Sequence, residues 1–153
     1  MTTKVILLWS GAAILLIAAL LGGALALFLR PSRGERIPSS SAGAALIVID
    51  IQEDYTGPQA RKRYRDGERI VAASNALIAE ARRRGIPVAF VRNEIVNPLL
   101  ALLFGHLNAS GTPGAEMDRR LERDTGTPTF VKHRPDSFTN PALDAWLREH
   151  QVE

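Results

Sequence analysis

The chain has 153 residues, with 19 Lys+Arg against 16 Asp+Glu and no cysteine. That length holds one domain at most. The missing thiol excludes a disulfide scaffold, a cysteine zinc site and a thiol nucleophile within the chain. The net charge of +3 belongs wholly to residues 1–43, because residues 44–153 carry 15 basic and 15 acidic side chains. The excess therefore does not mark a nucleic-acid surface on the folded part.

Residues 5–29 (VILLWSGAAILLIAALLGGALALFL) run without a charge. A helix of about 20 such residues crosses a bilayer core, so the segment reads as a transmembrane helix. A buried core helix is the alternative, opposed by a run that is apolar on every face. A cleaved signal peptide is a second alternative. It is opposed by the length of the run and favoured by the small-x-small triplet Ala24-Leu25-Ala26. Arg30, Arg33 and Arg36 follow the run and only Lys4 precedes it, which places the C-terminal side in the cytoplasm. Residues 30–43 (RPSRGERIPSSSAG) form a linker rich in Pro, Ser and Gly. Its arginines lie where anionic lipid would meet them.

Residues 44–50 (AALIVID) are apolar without alternation and end in a carboxylate, as an inner strand of a parallel sheet does. Residues 52–62 read as a polar loop broken at Gly57-Pro58. A helix is predicted from Gly67, with Ile70, Leu77, Ile78 and Ala81 on its packing face and Arg82, Arg83 and Arg84 at its end. Gly85 stops it. Residues 86–91 (IPVAFV) form a second strand, and residues 98–104 (PLLALLF) a short helix apolar enough to pack on the core, on a partner or beside a membrane. Asn108-Ala109-Ser110 matches a glycosylation acceptor in a loop. Residues 115–121 are predicted as a short helix and residues 127–133 (TPTFVKH) as a third strand. Asn140-Pro141 opens a last helix that packs through Leu143, Trp146 and Leu147.

This order predicts an α/β fold, an open parallel-sheet three-layer Rossmann-like sandwich behind one N-terminal transmembrane helix. The sequence stops directly after the third major helix, where another strand is due, so the pattern reads as a truncated domain. Sites in such sheets lie at the carboxyl ends of the strands. Asp50 and Lys132 stand there, across what are expected to be adjacent strand ends: a base and a cation for a developing anion, or a structural ion pair. His106, His133 and His150 have no metal-ligand spacing. No phosphate-binding glycine motif and no serine elbow occurs.

Two segments together carry a resemblance. ALIVIDIQEDYTG (residues 45–57) resembles the opening strand and loop of the isochorismatase-like cysteine hydrolases. GTPGAEM (residues 111–117) with FVKHRPDSFTNPALDAWLRE (residues 130–149) resembles their middle portion. The resemblance implies a partial hydrolase domain over residues 44–153 with a small-molecule substrate, an amide or a vinyl ether such as that of isochorismate. It implies Asp50 and Lys132 as catalytic residues, and Gln52, Tyr55 and Phe138 as substrate-pocket candidates. The family's third catalytic residue is a cysteine on a later strand, which this chain lacks, so the chain as it stands is expected to be inactive in covalent hydrolysis. The metal-binding histidines of nicotinamidases are unmatched at VRNEIVN (residues 91–97), which implies a member without metal or other cofactor. The expected partners are the substrate and the lipid bilayer, with no nucleic acid. Homo-oligomer formation and the substrate stay open. The alternative function is a noncatalytic membrane-tethered α/β binding or interaction protein.

Overall fold

A computed structural model describes residues 3–32 and 43–152. Most of the linker, with Arg33 and Arg36, lies outside the described residues. The elements in chain order are α1 (Thr3–Phe28), β1 (Leu46–Ile49), α2 (Gly67–Arg83), β2 (Val88–Asn93), α3 (Pro98–Leu103), β3 (Thr129–Lys132) and α4 (Pro141–Glu149). The three strands pair in parallel in the order β1-β2-β3. Leu46 stands opposite Val88 and Asn93 opposite Lys132.

Apolar side chains on both faces of the strands explain why β1 shows no alternation. Val48, Val88 and Phe90 pack with Val71, Ile78 and Ala81 of α2 and with Met117 and Leu121. On the other face Val91, Ile47 and Phe130 pack with Leu143, Trp146 and Leu147 of α4. Two layers of helix thus cover one parallel sheet, an α/β architecture. Just ahead of β1, Gly43 bridges Val152 in parallel, and its N–H donates to the Gln151 carbonyl at 2.8 Å.

The helix starts follow from local chemistry. In both α3 and α4 an asparagine precedes a proline at the first helical position. The Asn97 carboxamide accepts from the N–H groups of Leu99 and Leu100, and the Asn140 carboxamide from that of Ala142. These caps satisfy donors that the first turn leaves free. Gly85 ends α2 at φ 68°, a conformation that costs other residues more.

Several expectations need correction. The buried face of α2 turns on Val71, Ile78 and Ala81, while Leu77 is exposed. The second strand begins at Val88 and runs on to Asn93. Residues 115–121 are not a helix: a 3-10 turn, Pro113–Ala115, is followed by extended chain. That chain is pinned to the loop after β1, where the backbone N–H groups of Glu53 and Asp54 donate to the carbonyls of Glu116 and Gly114, and the N–H of Asp118 donates to the carbonyl of Ile51. Its backbone groups find long-range partners, so helical ones are not needed.

α1 is one helix whose segment Gly11–Phe28 is long and apolar enough to cross a membrane, and none of that segment is buried in the fold. Its last turns nevertheless touch the domain. Ala24, Leu25 and Phe28, which share a helical face, pack against Ile95, Leu100 and Ala101.

Candidate active site

Asp50 follows β1 directly and adopts φ 59°. Aspartate accepts this left-handed conformation more readily than most residues. Its N–H donates to the Val91 carbonyl at 2.9 Å, holding it against β2. Lys132 ends β3, and only 3% of its side chain is exposed. Its Nζ donates to Asp50 Oδ2 at 2.9 Å and to the Pro135 carbonyl at 2.8 Å. The strands that carry the pair are not adjacent, contrary to expectation: β2 lies between them. Lys132 reaches across the end of β2 beside Asn93, its register partner.

Asp50, Lys132, Asn93, Tyr55 and Asn108 line a cavity of about 250 Å³, with Phe28, Ile95, Phe104 and Leu107 on its apolar side. Asp50 Oδ1, Asn93 Oδ1 and Asn108 Oδ1 are buried without a protein hydrogen-bond donor. Asn108 is 1% exposed, so its glycosylation pattern is not presented to solvent. Its Nδ2 donates to the Tyr55 hydroxyl at 3.2 Å, and its N–H donates to Asp54 Oδ2 at 2.7 Å. Burial raises the Tyr55 phenol above its usual range, aided by the neighbouring Tyr64, Asp50 and Asp54, against the Asn108 hydrogen bond. Tyr55 therefore stays a neutral hydrogen-bonding wall.

The other pocket candidates sit elsewhere. Gln52 is fully buried. Its Nε2 donates to the carbonyls of Asn93 (2.9 Å) and Ala115 (2.6 Å), and its Oε1 accepts from the N–H of Asn93 at 3.0 Å. It ties three segments together and does not line the cavity. Phe138 is 53% exposed and lines a separate open groove of about 730 Å³ with Arg30, Lys132, His133 and Arg134. Lys132 borders both spaces.

The family described as the isochorismatase domain matches residues 44–153. This chain belongs to the isochorismatase family. An uncharacterized isochorismatase family protein of Bacillus subtilis (strain 168) is 36% identical over 109 residues, covering 71% of this chain and 57% of the relative. The crystal structure of an isochorismatase family protein from Desulfovibrio vulgaris shares 30% identity at a TM-score of 0.61, covering 73% of this chain and 64% of the other. N-carbamoylsarcosine amidase from Thermoplasma acidophilum has the same fold, with 22% identity and a TM-score of 0.63, over 72% of this chain and 63% of the amidase. The chain thus spans less than two thirds of the length of these relatives.

Within this isochorismatase domain, sequence reasoning missed Asn93, Asn108 and Asp54. Asn93 had a usable signal, since it ends β2 at the same level as Lys132. Asn108 had none, because its burial depends on the distant Asp54 carboxylate. Gly114 in the GTPGAEM segment also has a structural cause. A Cβ there would collide with the Asp54 carboxylate.

Proposed function

We propose that residues 44–153 carry the aspartate and lysine of an isochorismatase-type hydrolase site, held at a membrane by α1. The observation that carries this reading is the Asp50–Lys132 pair at the cavity, with a second Asp50 oxygen left free to take a proton. Asp50 acts as the base that deprotonates a nucleophilic thiol, and Lys132 orients Asp50 and balances its charge. The thiolate adds to the carbonyl carbon of a small amide. The C–N bond then breaks as the amine leaves with the proton, and water releases the acyl group. A vinyl ether such as that of isochorismate is the other substrate class. Tyr55 forms part of the substrate wall, and Phe138 would meet a substrate only from the side of the open groove.

The thiol is not in this chain, which has no cysteine. The chain alone should therefore bind but not turn over. Purified full chain is incubated with a panel of amides and with isochorismate. Product no faster than the uncatalysed background is expected. Turnover that disappears in Asp50→Ala would overturn the claim that the nucleophile is missing.

The apolar length of α1 and the arginine that follows it support a single-pass anchor with the domain on the cytoplasmic side. The absence of cysteine favours a second reading, a membrane-tethered binding protein that uses the same cavity without chemistry. Under that reading a ligand bound at the cavity is recovered unchanged after long incubation with any added thiol-bearing partner.

A further inference from the structure

α1 is fastened to the domain at two places. Ala24, Leu25 and Phe28 pack against Ile95, Leu100 and Ala101, and the Phe28 ring lies against that of Phe104 with centroids 5.8 Å apart. Just beyond α1, the Ser32 N–H donates to Asp136 Oδ2 at 2.6 Å, and the Ser32 hydroxyl donates to the same oxygen. The helix and the domain thus hold one relative position.

α3 buries Leu100 and Ala101 in this contact and exposes the rest of its apolar surface. Leu99, Leu102 and Leu103 share one helical face and are 44%, 65% and 54% exposed, with Val96 at 57% just ahead of them. A contiguous apolar patch of this kind marks a contact surface. Depth decides what covers it. The uncharged run ends at Leu29, and Arg30 follows, as a cation does at the edge of a hydrocarbon core. The α1 residues that touch α3 run from Ala24 to Phe28, about 6 Å of helix rise. Helices that lie in a bilayer surface sink about 5–10 Å into it. The two depths agree, so an α1 that spans a bilayer sets the α3 leucines among the outer parts of the lipid chains. Exposed cations stand at the same level: Arg30 directly after the run, and Lys62 beside Phe28 and Phe104. Both suit lipid phosphates.

We infer that α3 is a second membrane contact: Leu99, Leu102 and Leu103 enter the bilayer surface beside the end of α1 and fix the posture of the domain. The strand ends are then turned towards the lipid, because Phe28 lines one cavity with Asp50 and Lys132. This rests on the proposed membrane anchor and involves no turnover.

The chain has no cysteine, so single-cysteine variants of the full chain each take one nitrobenzoxadiazole fluorophore. Leu102→Cys and Leu103→Cys probe α3, and Leu16→Cys probes α1. Leu77→Cys is the reference, since α2 leads into β2 and its later turns lie towards the amino ends of the strands. All four side chains are more than half exposed, so the label displaces no packing. The labelled chains are placed in phosphatidylcholine vesicles at a density where copies seldom meet. A lipid with a nitroxide high on its chain should quench labels at residues 102 and 103 several-fold more than the label at residue 77. A lipid with a nitroxide at the chain end should quench the label at residue 16. Labels at residues 102 and 103 quenched no more than that at residue 77, while residue 16 is quenched, overturn the inference and leave the anchor standing. Labels at residues 102 and 103 that ignore the nitroxide and quench one another as density rises place a second copy on the patch, and also overturn it. A label at residue 16 that neither lipid quenches overturns the anchor and the inference with it.

Discussion

Lys132 Nζ donates to Asp50 Oδ2 at 2.9 Å although 82 residues and a whole strand separate them. The pair is asymmetric: the lysine side chain is 3% exposed and that of the aspartate 39%. Removing the aspartate charge leaves a buried ammonium with the Pro135 carbonyl as its remaining acceptor. Removing the lysine leaves a carboxylate that water can reach. Asp50→Asn should therefore cost about 1–3 kcal/mol, below the range for a fully buried pair. Lys132→Met should cost less, because the buried charge goes with it. Asp50→Ala should exceed Asp50→Asn by about 1 kcal/mol, since alanine lacks the tolerance of asparagine for φ 59°. Urea unfolding in detergent micelles gives all three values. Equal losses would contradict this account.

Asp118 is fully buried beside Arg120 and Thr56. Burial pushes its carboxyl up. Hydrogen bonds from the Arg120 side chain, the Arg120 N–H and the Thr56 hydroxyl, together with the Arg120 charge, outweigh that and hold it down at about 2. A carboxyl lowered by folding stabilises the fold above its unfolded value and loses that contribution as pH falls through the folded value. About 2 kcal/mol should accordingly be lost from about pH 4 down to about pH 2. Asp118→Asn should be less stable at neutral pH and flatter across that window. Parallel pH profiles for the two proteins would refute the assignment.

Gln52→Leu tests whether that residue is structural. The variant removes the side-chain partner of the Asn93 N–H and carbonyl and leaves the Ala115 carbonyl with Arg92 alone, a loss of about 2–4 kcal/mol. The Asn93 amide should also exchange with solvent faster. Unchanged stability with weakened amide binding would instead restore Gln52 to the pocket.

Gly114→Ala drives a methyl into the Asp54 carboxylate, which accepts from the N–H of Asn108. Overpacking of this kind costs about 1–3 kcal/mol. The Asn108 amide resonance should shift, although residue 114 does not touch Asn108 in the sequence. A silent substitution would show that the loop relaxes freely.

Local chemistry made much of the fold readable in the sequence. Asn140-Pro141 marks a helix start because its cap needs only the next two residues. The apolar run at residues 44–50 marks a strand covered on both faces. The buried face of α2 differs from the expected one because Leu77 and Val71 are both apolar, and only the position of the sheet selects between them. Residues 115–121 carry a helical pattern but are not a helix, because the backbone partners of this segment lie some 60 residues earlier, at Ile51, Glu53 and Asp54. The hydrogen bonds of the Gln52 carboxamide to Asn93 and Ala115 join segments about 40 and 60 residues away, which no local pattern shows.

The sequence by itself determined the long apolar helix, the neutral domain after it, the parallel α/β pattern and the absence of a thiol, since composition and short-range periodicity are enough for each. Only the tertiary structure decided that β2 separates Asp50 from Lys132, that Asn93 and Asn108 line the same cavity, and that Phe28 of the apolar helix lies in its wall. These are contacts between distant segments. They depend on strand order and on how helices settle against the sheet, and neither is encoded in neighbouring residues.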